Sequence, residues 1–280
     1  MAIIIDGKKV SQSIREQLTI EVKQLVNQNK KPGLAVIIVG DNPASQSYVK
    51  AKARACQDIG IHSEVYELAE SCSQQQLLEK IDELNNDLKI HGILVQLPLP
   101  KHIDEQAVIE RISPDKDVDG FHILNAGKLL VGLPGFLPCT PAGIIELIKQ
   151  TGQSMAGKHV VVVGRSNIVG KPVALLALYE NATVTICHSK TDNLSAITRT
   201  ADIIIAAVGK PNMITDDMIK SGAIVIDVGI NRVDGKLIGD VDFQQVKEKA
   251  SYITPVPGGV GPMTITMLLK NTVESCKRNQ

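Results

Sequence analysis

The chain has no tryptophan, only four Tyr and three Phe, and no surplus of either charge, with 30 basic side chains against 30 acidic ones over 280 residues. Lacking a basic face, it is a poor partner for polyanions, so nucleic acid and acidic membranes give way to small-molecule chemistry. No apolar run approaches the roughly 18 residues needed to span a bilayer. The opening Ala2–Ile5 stretch is cut by Asp6, too soon for the apolar part of a secretion signal. A cytoplasmic setting is expected.

Cysteine is also sparse. The five (Cys56, Cys72, Cys139, Cys187, Cys276) are odd in number, widely spaced and never in a C-x-x-C pair. That argues against a disulfide framework and a zinc site, and reads them as free thiols filling small core spaces. The six histidines show no H-x-x-x-H pattern, so no metal is expected.

What is present is rhythm. Short β-branched runs alternate with helical-period stretches almost end to end, and at this length that predicts two α/β domains built on parallel sheets. In the first half strands are expected at Ile3–Ile5, Leu34–Val39, His62–Leu68 and Gly92–Leu97, with helices over Val10–Asn29, Ala44–Ile59 and Ser73–Leu88. Gly60 should end the second helix. From Ile123 to Pro141 the pattern lapses into glycine, proline and short apolar pieces, which reads as a connection between two bodies. Residues 1–140 are therefore assigned to an N-terminal domain and 141–261 to a second one. After 141 a helix to about Thr151 is followed by strands at His159–Val163, Thr183–Cys187, Ile203–Ala206 and Ile224–Asp227, and a final helix spans about Pro262–Cys276.

The apolar strand ending at Val163 runs into Gly164, Arg165, Ser166, Asn167, Ile168, Val169 and Gly170, with a helix expected near Pro172. Strand, glycine turn and helix together present free N–H groups and a positive dipole end to a phosphate. The spacing is G-x-x-x-x-x-G rather than G-x-G-x-x-G, so the loop alone also fits an ordinary βα turn. The next strand ends in His188, Ser189, Lys190 and Thr191, with no carboxylate before Asp192. An acid there would grip a ribose hydroxyl and repel a 2′-phosphate, whereas Ser189 and the planar fork of Arg165 suit phosphate oxygens. NADP is therefore favoured over NAD.

In the first half Tyr48 and Lys52 stand four apart on a helix and project from one face. A phenol ring can stack on a flat substrate and an amine can carry protons, although such a pair is also common on surfaces. Gln96, before Leu97 and Pro98, sits at the carboxyl edge of a strand, where open α/β sheets place ligands. Lys116-Asp117-Val118-Asp119-Gly120 adds a turn with two acids, either of which fits a loop-stabilising cap as well as a ligand contact.

In order, ASQSYVKAKARAC (44–56), VQLPLP (95–100), KDVDGFH (116–122), PCTPAG (138–143), VVGRSNIVGKP (162–172), CHSKT (187–191), DVGIN (227–231), GDVD (239–242) and TPVPGGVGPMT (254–264) closely resemble one family. It is the bifunctional methylenetetrahydrofolate dehydrogenase and methenyltetrahydrofolate cyclohydrolase family, called FolD in bacteria. The resemblance covers nearly the whole chain.

It implies a folate-binding catalytic domain, a Rossmann-like NADP domain, a cleft between them and a final helix, 262–280, packing back on the first domain. Tyr48 would stack on the folate, Lys52 would be the catalytic proton carrier, Gln96 would orient it, and Asp119 would hold the pterin N–H groups. Thr140, Gly164, Arg165, Ser166, Ser189 and Ile230 would contact NADP. Pro257, Gly258, Gly259 and Val260 would border the folate. A homodimer is implied, and the formate ligase domain of longer relatives is not expected. Two rivals share parts of this plan: an NADP-dependent shikimate or amino-acid dehydrogenase, and a non-enzymatic nucleotide-sensing protein on a Rossmann fold.

Overall fold

The computed structural model describes residues 1–278. In chain order the first elements are β1 (Ile3–Ile4), α1 (Gly7–Asn27), β2 (Gly33–Val39), α2 (Pro43–Ile59), β3 (His62–Leu68), α3 (Gln74–Asn86), β4 (Gly92–Val95), α4 (Glu105–Arg111) and α5 (Ile123–Val131). Then come α6 (Cys139–Lys149), β5 (His159–Val163), α7 (Gly170–Tyr179), β6 (Thr183–Cys187), α8 (Leu194–Thr198), β7 (Ile203–Ala206) and β8 (Ile224–Asp227). The chain closes with β9 (Asn231–Val233), β10 (Lys236–Ile238), α9 (Phe243–Lys249), β11 (Tyr252–Ile253) and α10 (Val260–Arg278). Contacts divide it into two units, Met1–Gln12 with Thr140–Thr264, and Ser13–Cys139 with the chain from Ile265.

The unit built on Ser13–Cys139 holds a parallel three-stranded sheet in the order β3-β2-β4. β2 is buried along its whole length, which is why it reads as an unbroken apolar run. Its Ala35, Ile37 and Val39 join Leu77, Ile81 and Leu84 of α3 and Val108 of α4 in one core cluster. α2 starts where Asn42 accepts from the Ala44 and Ser45 amides ahead of Pro43, and stops at Gly60 in the left-handed region. α10 is tied into this unit by its polar side chains: Ser275 Oγ donates to the carbonyls of His91 (2.6 Å) and Asp115 (2.8 Å), and Lys277 pairs with Glu21 on α1.

The other unit is a six-stranded parallel sheet, β1-β11-β8-β7-β5-β6. Val160–Val163 and Ile203–Ala206 are buried through and through, so strand limits read from β-branched runs coincide with the observed ones. β9 and β10 form a separate hairpin turned by Asp234 and Gly235, both at positive φ.

Two expectations are corrected. Residues 1–140 do not form one body, because Met1–Gln12 belongs with the nucleotide-type sheet. Ile3 and Ile4 pair with Tyr252 and Ile253, partners far along the chain that no local pattern reveals. The expected connection from 123 to 141 instead contains α5, which starts where His122 Nδ1 accepts from the Leu124 amide and ends at Gly132 in the left-handed region. α6 then begins at Cys139.

Candidate functional site

On α2, Tyr48, Lys52 and Cys56 follow at intervals of four and share one face. Exposure falls along that line, from 37% at Tyr48 to 7% at Lys52 and 0% at Cys56. The face therefore descends from solvent into the core, and burial raises the Tyr48 phenol above its ordinary value, keeping it protonated at neutral pH. The Lys52 ammonium donates to Gln96 Oε1 at 3.0 Å. Gln96 lies just past β4, where its amide N–H is bonded to Ile37 O, and its Nε2 donates to Leu97 O at 2.7 Å. With its NH2 group committed to the backbone, the glutamine presents its oxygen to the lysine.

The two acids of the 116–120 turn have different jobs. Asp117 is buried and saturated by donors: Gly120 and Phe121 amides on Oδ1, the His122 amide and Asn125 Nδ2 on Oδ2. It is the loop-stabilising cap. Asp119 takes none of those amides, and the Cys139 thiol close to it donates to the neighbouring carbonyl of Val118 at 3.3 Å. Burial raises its carboxyl above the ordinary range, Lys52's charge opposes that rise, and Asp117's charge adds to it. Spacing alone could not separate the two; the count of backbone amides does. The structure thus brings Lys52, Gln96 and Asp119 into one electrostatic neighbourhood below the exposed Tyr48 ring.

In the other unit β5 is followed directly by Gly164, whose φ is +133° and whose amide donates to Cys187 O at the end of β6. A Cβ there would stand 2.2 Å from Ala207 O, so only glycine lets the turn lie against the end of β7. Ser166 Oγ accepts from the Val169 and Gly170 amides at the start of α7, which begins two residues earlier than expected. Arg165 is exposed and pairs with no acid among the described residues. Ser189, also exposed, lies two residues beyond β6 and on the same sheet edge. A cradle closed to any Cβ, a free guanidinium and a strand end without a carboxylate are the features a 2′-phosphorylated dinucleotide needs.

Thr140, on α6, shares a 2.8 Å hydrogen bond with Thr264. Ile230 is 49% exposed between β8 and β9. In the Pro257–Val260 segment Gly258 has φ +107°, while Val260 is buried and opens α10. Any contact from Val260 to a ligand is therefore through its backbone.

Sequence reading gave no role to Asp227 and Asp240, which shape the loops at the carboxyl edge of this sheet. Asp240 accepts from the Val208, Gly209 and Lys210 amides and from Asn231 Nδ2. Asp227 accepts from the amides of Gly229, Asp240 and Val241. The only available signal was the acid in each of two glycine-bearing segments, DVGIN and GDVD.

A parallel nucleotide sheet with a glycine cradle, in a chain that also carries a lysine–amide–carboxylate group around the buried Lys52, defines a two-unit α/β enzyme that uses a dinucleotide. Comparison narrows that class. Residues 5–119 match the family model for the tetrahydrofolate dehydrogenase/cyclohydrolase catalytic domain, and 138–280 match that for its NAD(P)-binding domain. The chain belongs to the tetrahydrofolate dehydrogenase/cyclohydrolase family. It is 62% identical over 279 residues to the bifunctional protein FolD of Bacillus cereus, covering 99% of this chain and 98% of that one. The solved bifunctional FolD of Campylobacter jejuni superposes with TM-score 0.98 at 54% identity, with both chains covered completely. The Trypanosoma brucei methylenetetrahydrofolate dehydrogenase-cyclohydrolase, solved with NADP and an inhibitor, gives 0.95 at 42% identity over 99% of this chain and 98% of that one. Shikimate dehydrogenase from Aquifex aeolicus, at 13% identity and TM-score 0.54 over 88% of this chain and 96% of that one, shares the fold alone.

Proposed function

We infer that the chain is a bifunctional one-carbon enzyme that oxidises 5,10-methylenetetrahydrofolate to 5,10-methenyltetrahydrofolate with NADP, then hydrolyses the product to 10-formyltetrahydrofolate. The observation that carries this reading is the bond between Lys52 and Gln96 beside Asp119, in a chain matched by both family domains. NADP, when bound, takes up the hydride leaving the methylene carbon.

The residues divide the work. Asp119, an acceptor facing Lys52, receives the pterin N–H groups and fixes the reacting carbon. Tyr48 supplies an exposed ring for stacking along the folate. Loss of hydride leaves a cation shared between two nitrogens, which the nearby carboxylate favours. Water then adds to that carbon, and Lys52 Nζ, aimed by Gln96, moves a proton between the attacking water and the departing ring nitrogen. Gly164, Ser166 and Thr140 serve the cofactor's phosphates, Arg165 and Ser189 its 2′-phosphate, Ile230 its nicotinamide end, and the Pro257–Val260 backbone borders the folate.

The same reading makes the enzyme a homodimer in the cytoplasm. β6 is an outer strand of the six-stranded sheet, and beside it Ile186, Leu178 and Tyr179 are 41%, 55% and 47% exposed. An open apolar edge of this kind suits pairing with a second copy. Five free, buried cysteines suit a reducing compartment.

The test is NADP reduction followed by absorbance with methylenetetrahydrofolate as the only other substrate, then decay of the methenyl absorbance. Activity with shikimate and none with the folate would overturn the reading.

A further inference from the structure

Among the described residues the Asp119 carboxylate takes no amide of its own turn: those of Gly120, Phe121 and His122 go to Asp117, and that of Val118 goes to Lys116 O. Its support comes from two other places. The Cys139 thiol, buried at 1% exposure, donates to Val118 O at 3.3 Å, on the peptide group that leads into Asp119. Behind it, on α10, a single nitrogen, Asn271 Nδ2, donates to Val118 O at 2.9 Å and to Leu137 O at 3.0 Å, and stands 3.7 Å from Cys139 Sγ. One amide thus staples the strand of chain carrying the acid to the strand carrying the thiol. The fit between them is close: a Cβ on Gly120 would stand 2.6 Å from Leu137 C and Pro138 N.

We propose that Asn271, acting through Cys139 and the Val118 carbonyl, is the positioning residue for Asp119, so that the final helix sets the folate specificity of the site. This rests on the assignment of Asp119 to the folate. The groups facing Asp119 are Lys52, Asp117 and Cys139. Of these, Cys139 is the one Asn271 touches, at 3.7 Å, so a change in Asp119 on truncation reports the loss of that staple.

Two measurements on the full-length protein test this. In the first, the Asp119 carboxyl is titrated by carbon NMR in wild type, Asn271→Ala and Asn271→Ser. The alanine variant should shift the midpoint toward that of an ordinary aspartate, and serine, which retains one donor, should restore part of the shift. An unmoved midpoint overturns the proposal. In the second, Asn271→Ala should raise KM for methylenetetrahydrofolate about tenfold, the worth of one buried hydrogen bond, with KM for NADP unchanged. That rise should vanish on an Asp119→Asn background. Equal rises for both substrates, or a full rise without the Asp119 carboxylate, would also overturn it. A shifted midpoint with unaltered folate KM in both Asn271→Ala and Asp119→Asn would keep the staple and sink the folate assignment of Asp119. If the alanine variant melts too early to assay, the serine variant carries both measurements.

Discussion

The amide of Asp240 donates to Asp227 Oδ1 at 2.8 Å, so two buried acids that shape neighbouring loops are linked through one backbone group. Asp240 also collects amides from the loop after β7, and Asp227 collects amides from the loop after β8 and from Val241, which makes the pair a hub for the carboxyl ends of β7 and β8. Electrostatically the two are unequal. Burial pushes the Asp227 carboxyl up to about 6, the three amides it accepts pull the other way, and the charge of Asp240 adds to the rise.

A pH prediction follows from that direction. A carboxyl whose folded value lies above its unfolded one, near 3.8 here, binds its proton more tightly when folded. Its stabilising contribution is complete below about pH 4 and is lost as pH rises through about 6, a loss on the order of 3 kcal/mol. Chemical unfolding of wild type and Asp227→Asn from pH 4 to 7 should show wild type losing about that much relative to the variant. A gap that stays constant, or widens in favour of wild type, would refute the assignment.

The Lys52–Gln96 bond makes a kinetic prediction. Lys52→Met keeps the length of the side chain and removes the amine, so folding should persist while cyclohydrolase turnover falls by about 10² to 10⁴-fold, the usual worth of general acid–base assistance. Gln96→Ala leaves the amine but frees its direction, and should cost less. Methenyltetrahydrofolate hydrolysis at the wild-type rate in Lys52→Met would remove the proton-carrier role.

How much of this was legible without coordinates depended on whether the signal was local. The strands β5, β6, β7 and β8 were readable because strands within parallel sheets become unbroken β-branched runs. The end of α2 was readable too, from Gly60. β1 escaped assignment to its sheet because its partner, β11, lies at the far end of the chain. α5 was hidden because glycine and proline around it imitate a connection, while its cap is a histidine, an unusual capping residue. At the site, Tyr48 and Lys52 were a pair on one helix face that also fits an ordinary surface, and Gln96 an amide at a strand end; their roles came from the resemblance. Asp117 and Asp119 looked alike until the amides were counted, and Asn271 looked like any solvated amide on an amphipathic helix.

Arg165 tests the choice of cofactor. It is exposed and pairs with no acid among the described residues, so its charge is available to a phosphate. Arg165→Ala should raise KM for NADP roughly ten- to a hundredfold, the worth of a charge-assisted contact, and leave KM for NAD almost unchanged. Steady-state kinetics with both cofactors decides it. Equal changes would mean that the guanidinium does not serve the 2′-phosphate.

Gly164 separates two costs that glycine substitutions usually mix. Its φ of +133° is strained for any L side chain, and a Cβ would also stand 2.2 Å from Ala207 O, a backbone atom with nowhere to go. Gly152, in the same unit, has φ +71° but nothing within 4 Å of its Cβ position. Gly152→Ala should therefore cost only the left-handed backbone, about 1 kcal/mol. Gly164→Ala must add a displacement of the β5 turn from the end of β7, raising its cost to roughly 3 kcal/mol or more. Because that turn also forms the phosphate cradle, NADP affinity should fall with stability in Gly164→Ala and stay at the wild-type level in Gly152→Ala. Thermal melts and NADP titrations of the two variants make the comparison. Equal melting temperatures would show that the turn can move away from β7 at no cost, and that the close approach at Gly164 does not hold the cradle.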